Sequence, residues 1–215
     1  YEYASGSWTQ LGADIDGEAA DDYSGHSVSM NSSGDRVAIG ASGNDGTATD
    51  AGHVRIYEYS SGSWSQLGSD IDGEAVLNRS GYSVSMNSSG DRVAIGAHTN
   101  DGNGTGAGHV RIYSYNGSAW TQLGSDLDGE AAGDRFGVSV SMNSFGDRVA
   151  IGASGNDGTA SGAGHVRIYE YDSGSWNQVQ NDIDGEAADD NSGRSVSMNA
   201  AGDRIAIGAR LNDGN

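Results

Sequence analysis

The sequence contains no cysteine, no lysine and no run of about 18 apolar residues. Without cysteine there is neither a disulfide framework nor a thiolate metal site. Without a long apolar run there is no helical membrane span, so membrane insertion is not expected. All eleven basic residues are arginines, set against 30 Asp and Glu, and the formal net charge is −19. No basic patch is available to displace phosphate counterions, which excludes a nucleic-acid partner. Anionic membrane surfaces are disfavoured for the same reason. A charge of this sign suits solubility in salty water, or partners that are cationic or bridged by cations.

What the chain does have is a strict period. Trp8, Trp64, Trp120 and Trp176 stand 56 residues apart. The same interval separates His53, His109 and His165, and also Met30, Met86, Met142 and Met198. A fixed period of this length marks a repeat architecture. The 36 glycines fall at matching phases of each copy, where turns are needed. In the first copy four strand-like runs cover residues 27–30, 36–41 and 53–59, with 8–11 preceding them. Val28/Met30, Val37/Ile39 and Val54/Ile56 alternate with small or polar residues, which is the period of a pleated strand. A helical period occurs nowhere, so the fold class is all-β.

Two links are tight hairpins, residues 31–35 and 60–63, with the Asn, Gly and Asp that such turns require. The other two, residues 42–52 and 12–25, are longer and acidic. An up-and-down strand order sends the short links to one end of the sheet and the long links to the other. One four-stranded sheet cannot bury both its faces alone, whereas sheets arranged radially can. The expected fold is therefore a β-propeller of four-stranded antiparallel blades of 56 residues. Blades span 24–79, 80–135 and 136–191, with a split blade from 192–215 plus 1–23. Four repeats make either a closed four-bladed ring or a segment of a larger propeller of about seven blades, and the segment is favoured. Each Trp is expected to wedge between neighbouring blades.

The words Phe136-Gly137, Ile151-Gly-Ala153 and Gly164-His-Val-Arg-Ile-Tyr169 resemble the FG-GAP repeat of integrin-α-type β-propellers. They are more similar still to the related repeats of bacterial and algal surface proteins, which also carry a Gly-Ser-Trp before the next blade. Ser24, Ser80 and Ser192 replace the Phe elsewhere, and Ser42, His98, Ser154 and Arg210 stand where the family has Pro. The resemblance implies a non-enzymatic scaffold or adhesion module that is extracellular or at the cell surface. No signal segment is present in this chain.

The family's Ca²⁺ loop is not carried over, because the 31–35 turn is too short and too poor in carboxylates for 6–8 oxygen ligands. A different acidic run is the candidate for Ca²⁺: Asp14, Asp16 and Glu18, repeated at Asp70, Asp72 and Glu74, at Asp126, Asp128 and Glu130, and at Asp182, Asp184 and Glu186. No other cofactor is indicated. The Asn-Asp words from Asn44 onward are read as turn formers, and the three histidines as packed strand residues.

Positions that vary among the copies are candidates for the partner face: Asp21, Asp22, Tyr23, His26, Leu77, Arg79, Tyr82, His98 and Arg210. Five Asn-x-Ser/Thr sequons, at Asn31, Asn78, Asn87, Asn103 and Asn116, are possible N-glycosylation sites in a secreted eukaryotic protein. Nothing occurs once in the way a nucleophile or a paired acid and base would, so no catalytic residue is assigned. The reading is a module that binds protein or glycan through its acidic long-loop face. The alternatives are a Ca²⁺-dependent carbohydrate-binding propeller, or a structural subunit of a surface assembly or filament that self-associates through incomplete end blades.

Overall fold

The computed structural model describes residues 1–214; Asn215 lies outside them. Among the described residues there is no helix, and every strand belongs to an antiparallel sheet. The chain opens with β1 (Glu2–Ala4) and β2 (Ser7–Thr9). The first full sheet holds β3 (Ser24–Met30), β4 (Arg36–Ala41), β5 (His53–Ser60), β6 (Ser63–Gln66) and β7 (Ile71–Asp72). The second holds β8 (Ser83–Met86), β9 (Arg92–Ala97), β10 (His109–Tyr115), β11 (Trp120–Gln122) and β12 (Leu127–Asp128). The third holds β13 (Phe136–Met142), β14 (Arg148–Ala153), β15 (His165–Asp172), β16 (Ser175–Gln178) and β17 (Ile183–Asp184). A final pair, β18 (Ser195–Met198) and β19 (Ile205–Gly208), follows.

Within each full sheet four strands lie in chain order, and the short fifth strand pairs with the third. The fourth edge is thus one strand broken in two. In the first sheet β6 covers the later half of β5, pairing Gln66 with Tyr57. The chain bulges through Gly68, Ser69 and Asp70, and β7 then pairs Ile71 with Val54 and Asp72 with His53. Burial of Ile71 and Leu127 gives this short strand its anchor. The acidic run is therefore part strand, where the sequence alone reads a loop throughout.

Side chains reinforce the backbone bonds that close the hairpins, such as Asn31 N to Arg36 O and Gly34 N to Asn31 O, both 3.1 Å. Asn31 Oδ1 accepts from the amides of Asp35 (3.1 Å) and Arg36 (2.9 Å), while its Nδ2 donates to Asp35 Oδ1. Asn87 and Asn143 do the same in their copies. In the long loops Asn44 Oδ1 accepts from Gly46 N and Asp45 Oδ1 from Asp50 N, both at 2.8 Å, which is the turn role expected of these words. Thr47 Oγ1 donates to Gly73 O at 2.7 Å, so the two long connections meet at one end of the sheets.

Neighbouring sheets are laced by bonds between equivalent positions. Ser29 Oγ accepts from Met86 N, Ser85 Oγ from Met142 N and Ser141 Oγ from Met198 N, each at 2.9 Å. At the fourth strand of the sheets Trp64 Nε1 donates to Leu11 O, Trp120 to Leu67 O and Trp176 to Leu123 O, at 2.8–2.9 Å. The approach is close enough to dictate composition. A methyl on Gly40, Gly96 or Gly152 would collide with the carbonyl of Gly81, Gly137 or Gly193 in the next sheet. Between the sheets lie Val54, Ile56, Val93, Val110, Ile112 and Ile151, all nearly inaccessible. Each such side chain contributes roughly 1.5–3 kcal/mol through removal from water.

The two ends of the array differ from its middle. Met86, Met142 and Met198 are covered, whereas Met30 is 52% and Val28 63% exposed. Pairs β1–β2 and β18–β19 stand as separate two-stranded sheets with no ladder between them.

Candidate functional site

The candidate carboxylates are distributed differently from their order in the chain. Residues of one acidic run are shared between two neighbouring groups. Asp70 Oδ2 lies 3.7 Å from His53 Nδ1, with Glu18 of the preceding run at 3.9 Å. Glu74, from the same run as Asp70, joins His109 and Asp126, and Glu130 joins His165 and Asp182. The potential ligand atoms of each group lie within 4.8 Å of one another. Asp14 and Glu186, at the two ends of the series, join no such group among the described residues. Asp16, Asp72, Asp128 and Asp184 stay outside the groups as well, on the exposed side of the run.

Each group also contains an arginine two residues after its histidine. Arg55 Nη2 donates to Asp16 O (2.9 Å) and its Nη1 lies 3.4 Å from Glu18. Arg111 donates to Asp72 O (2.8 Å) and pairs with Glu74 at 3.1 Å. Arg167 pairs with both Glu130 and Asp182. Burial pushes His109 down to about 4, with Arg111 adding to the effect and Asp126 opposing it. Burial also lowers His165, and Arg167 adds to it. Asp72 and Asp128, although exposed side chains, are raised by partial desolvation of the carboxyl and then by the neighbouring Asp70 and Asp126. One imidazole and two carboxylates do not assemble the 6–8 oxygens that Ca²⁺ takes, and the guanidinium already neutralises much of the charge. Arg55, Arg111 and Arg167 tie each group to the acidic run of the preceding repeat.

A second constellation lies where the first strand of each repeat begins. A tight turn closes from His26 N to Tyr23 O, Tyr82 N to Arg79 O, Val138 N to Arg135 O and Arg194 N to Asn191 O. Its third residue is always glycine with φ between 80° and 86°, which a type II turn needs. The opening residue is also left-handed but never glycine: Tyr23, Arg79, Arg135 and Asn191 have φ of 54–57°. Such backbone costs about 1–3 kcal/mol per residue and must be held by its surroundings. Each turn therefore presents two side chains together, and their identities change from copy to copy.

Two of these pairs border a cavity of about 290 Å³, lined by Tyr23, His26, Asp50, Arg79 and Tyr82 over a floor of Ser42 and Gly43. The Tyr82 ring lies between two imidazoles, with centroids 4.6 Å from His26 and 3.9 Å from His98. Arg194 Nη2 donates to the Tyr82 hydroxyl at 3.2 Å. His98 is buried, its Nδ1 has no hydrogen-bond partner, and it is pushed down to about 4 by burial and by Arg79, Arg135, Arg194 and His26.

Of the partner-face candidates, Tyr23, His26, Arg79 and Tyr82 line this cavity and His98 backs it. Asp21, Leu77 and Arg210 are exposed but do not line it. Asp22 is buried; its carboxylate caps Ala19 N at 3.1 Å and accepts from Asn44 Nδ2 at 3.0 Å, so it is scaffold. Sequence reasoning missed Asp50, Arg135 and Arg194. The last two occupy the repeat positions of Tyr23 and His26, and aligning the four copies at these positions would have exposed them.

The sequons divide by burial. Asn31, Asn78 and Asn87 are at most 6% exposed, and their amides close turns, so a glycan there does not fit the folded chain. Asn103 and Asn116 are exposed. Comparison with family models and with curated proteins returns no match.

Proposed function

We propose that this chain is a non-enzymatic binding module of the β-propeller type, related to FG-GAP repeats, working outside the cell or at its surface. It engages a protein or glycan through the end where the long connections meet. The observation that carries the reading is convergence. Tyr23, His26, Arg79 and Tyr82, which vary among otherwise similar copies, border one cavity. The radial arrangement is supported by joints that recur at a constant offset, and by the bond from Arg194 to Tyr82 two repeats away. The separate β1–β2 and β18–β19 pairs favour a segment of a larger propeller over a closed four-bladed ring. Recognition on this reading is calcium-independent, since Glu18, Glu74, Glu130 and Asp182 are held by arginine.

A glycan array, with a panel of extracellular proteins beside it, tests the reading. Wild-type protein should capture a ligand that Tyr82→Ala loses while keeping its β-sheet circular dichroism. Capture unaffected by that substitution would remove the long-loop end as the contact surface. The assembly role rests on a different observation, the exposure of Val28 and Met30 where their copies are covered. Mass measurement in solution should then show concentration-dependent association that Met30→Glu weakens.

A further inference from the structure

Arginine is scarce in this protein and carboxylate abundant, yet the arginines around the cavity lack carboxylate partners. Arg36, Arg55, Arg111, Arg148 and Arg167 are ion-paired, whereas Arg92, which donates to Gly146 O, and Arg204 and Arg210 have no such partner among the described residues. Arg79, Arg135 and Arg194 have no carboxylate oxygen within 4 Å among the described residues, although the chain carries 30 Asp and Glu. Arg79 lines the cavity, Arg194 is bonded to the tyrosine that lines it, and Arg135 holds the same left-handed turn position as Arg79. This end of an otherwise acidic chain thus carries a cationic patch, with His26 beside it. Two tyrosine rings and an imidazole line the same space, and Asp50 supplies one acceptor.

We infer that the cavity binds an acidic saccharide: a pyranose bearing a carboxylate or a sulfate ester. This rests on the long-loop end being the contact surface. A guanidinium matches a carboxylate or sulfate in a planar, two-pronged geometry. Tyr23 and Tyr82 offer flat apolar faces for the C–H side of a sugar ring, and Tyr82 is fixed in place by His26, His98 and Arg194. Asp50 accepts from ring hydroxyls, a role that an acidic peptide would not use and would find repulsive. A volume of about 290 Å³ accepts a monosaccharide-sized group, at the small end of ligand pockets. The anion is recognised by arginine without a bridging cation.

Calorimetric titration with trigalacturonate, a sulfated galactotriose and neutral galactotriose tests this, at low and at raised NaCl. At least one anionic trisaccharide should bind at least about tenfold more tightly than the neutral one, and added salt should weaken it. Which of the two binds identifies the anion. Arg79→Gln and Arg194→Gln should each lower that affinity by about tenfold, while Phe145→Ser on the exposed hairpin should leave it unchanged. Equal binding of the neutral sugar overturns the inference, as does anion binding that Arg79→Gln and Arg194→Gln leave intact. If none of the three binds but an array ligand is lost in Tyr82→Ala, the acidic saccharide is wrong and the contact surface stands. If Tyr82→Ala affects no ligand, the contact surface fails too.

Discussion

Arg194 Nη2 donates a hydrogen bond to the hydroxyl of Tyr82 at 3.2 Å, joining two side chains that occupy the same repeat position 112 residues apart. Among the described residues the other side-chain hydrogen bonds between repeats connect a sheet to its immediate neighbour. This one reaches past the third sheet, whose equivalent residue is the buried Val138. Tyr82 is thereby clamped from three sides, by Arg194, His26 and His98.

The tryptophans should separate by position. Trp176 is 9% exposed and holds Leu123 O, while Trp8 is 68% exposed. Trp176→Ala should cost about 3–5 kcal/mol and Trp8→Ala less than about 1 kcal/mol, measured by urea unfolding. Similar losses for both would mean that the indole is not what joins adjacent sheets.

The Ile-Gly-Ala glycines should be sensitive only where a sheet follows. Gly96→Ala places a methyl against the Gly137 carbonyl and should cost roughly 3 kcal/mol or more. Gly208→Ala meets only the rotatable Ser195 side chain and should be mild. Comparing the two melting midpoints checks the claim, and a reversed order would refute it.

Acid should destabilise the fold before its carboxylates titrate. His98 and His109 are held near 4 by burial, below the unfolded value of 6.5. Between these pH values the unfolded chain binds the protons and the native chain does not. Stability is therefore full above about pH 6.5 and falls as pH drops toward 4, by up to about 3 kcal/mol per histidine. Thermal melts across this range should show the fall, and His109→Gln should flatten part of it. A midpoint constant from pH 7 to 4 would contradict the burial argument.

Divalent cations should matter little. Arg111 holds Glu74, and Arg167 holds Glu130 and Asp182, so a cation would have to displace a guanidinium to use these carboxylates. Melting in EDTA and in millimolar Ca²⁺ should agree within about 1 °C, since an ion bound at 100 times its Kd adds about 2.7 kcal/mol and would shift the midpoint visibly. A clear rise with Ca²⁺ would restore the cation reading.

Much of the scaffold could be read in advance. The alternation at Val37/Ile39 and Val54/Ile56 predicts β4 and β5, and strand parity predicts that the 42–52 link shares an end with the 12–25 link and its copy at 68–81. Strand β7 was not legible, because Gly68 interrupts the pattern and only Ile71 between two aspartates hints at resumed pairing. Grouping Glu18 with His53 depends on how one sheet seats against the next, which local periodicity does not encode. The Arg194–Tyr82 contact depends on how three successive sheets seat against one another, one step further from the sequence.

The joints all share one pitch: Ser29 to Met86, Ser85 to Met142, Ser141 to Met198. A duplicated cassette of residues 80–135 would therefore find its accustomed neighbours on both flanks, and in-frame recombination could lengthen or shorten the array without a new interface. The turns that open each first strand keep their shape whichever two side chains they display. Shuffling cassettes would then reassort the displayed side chains while leaving the scaffold untouched.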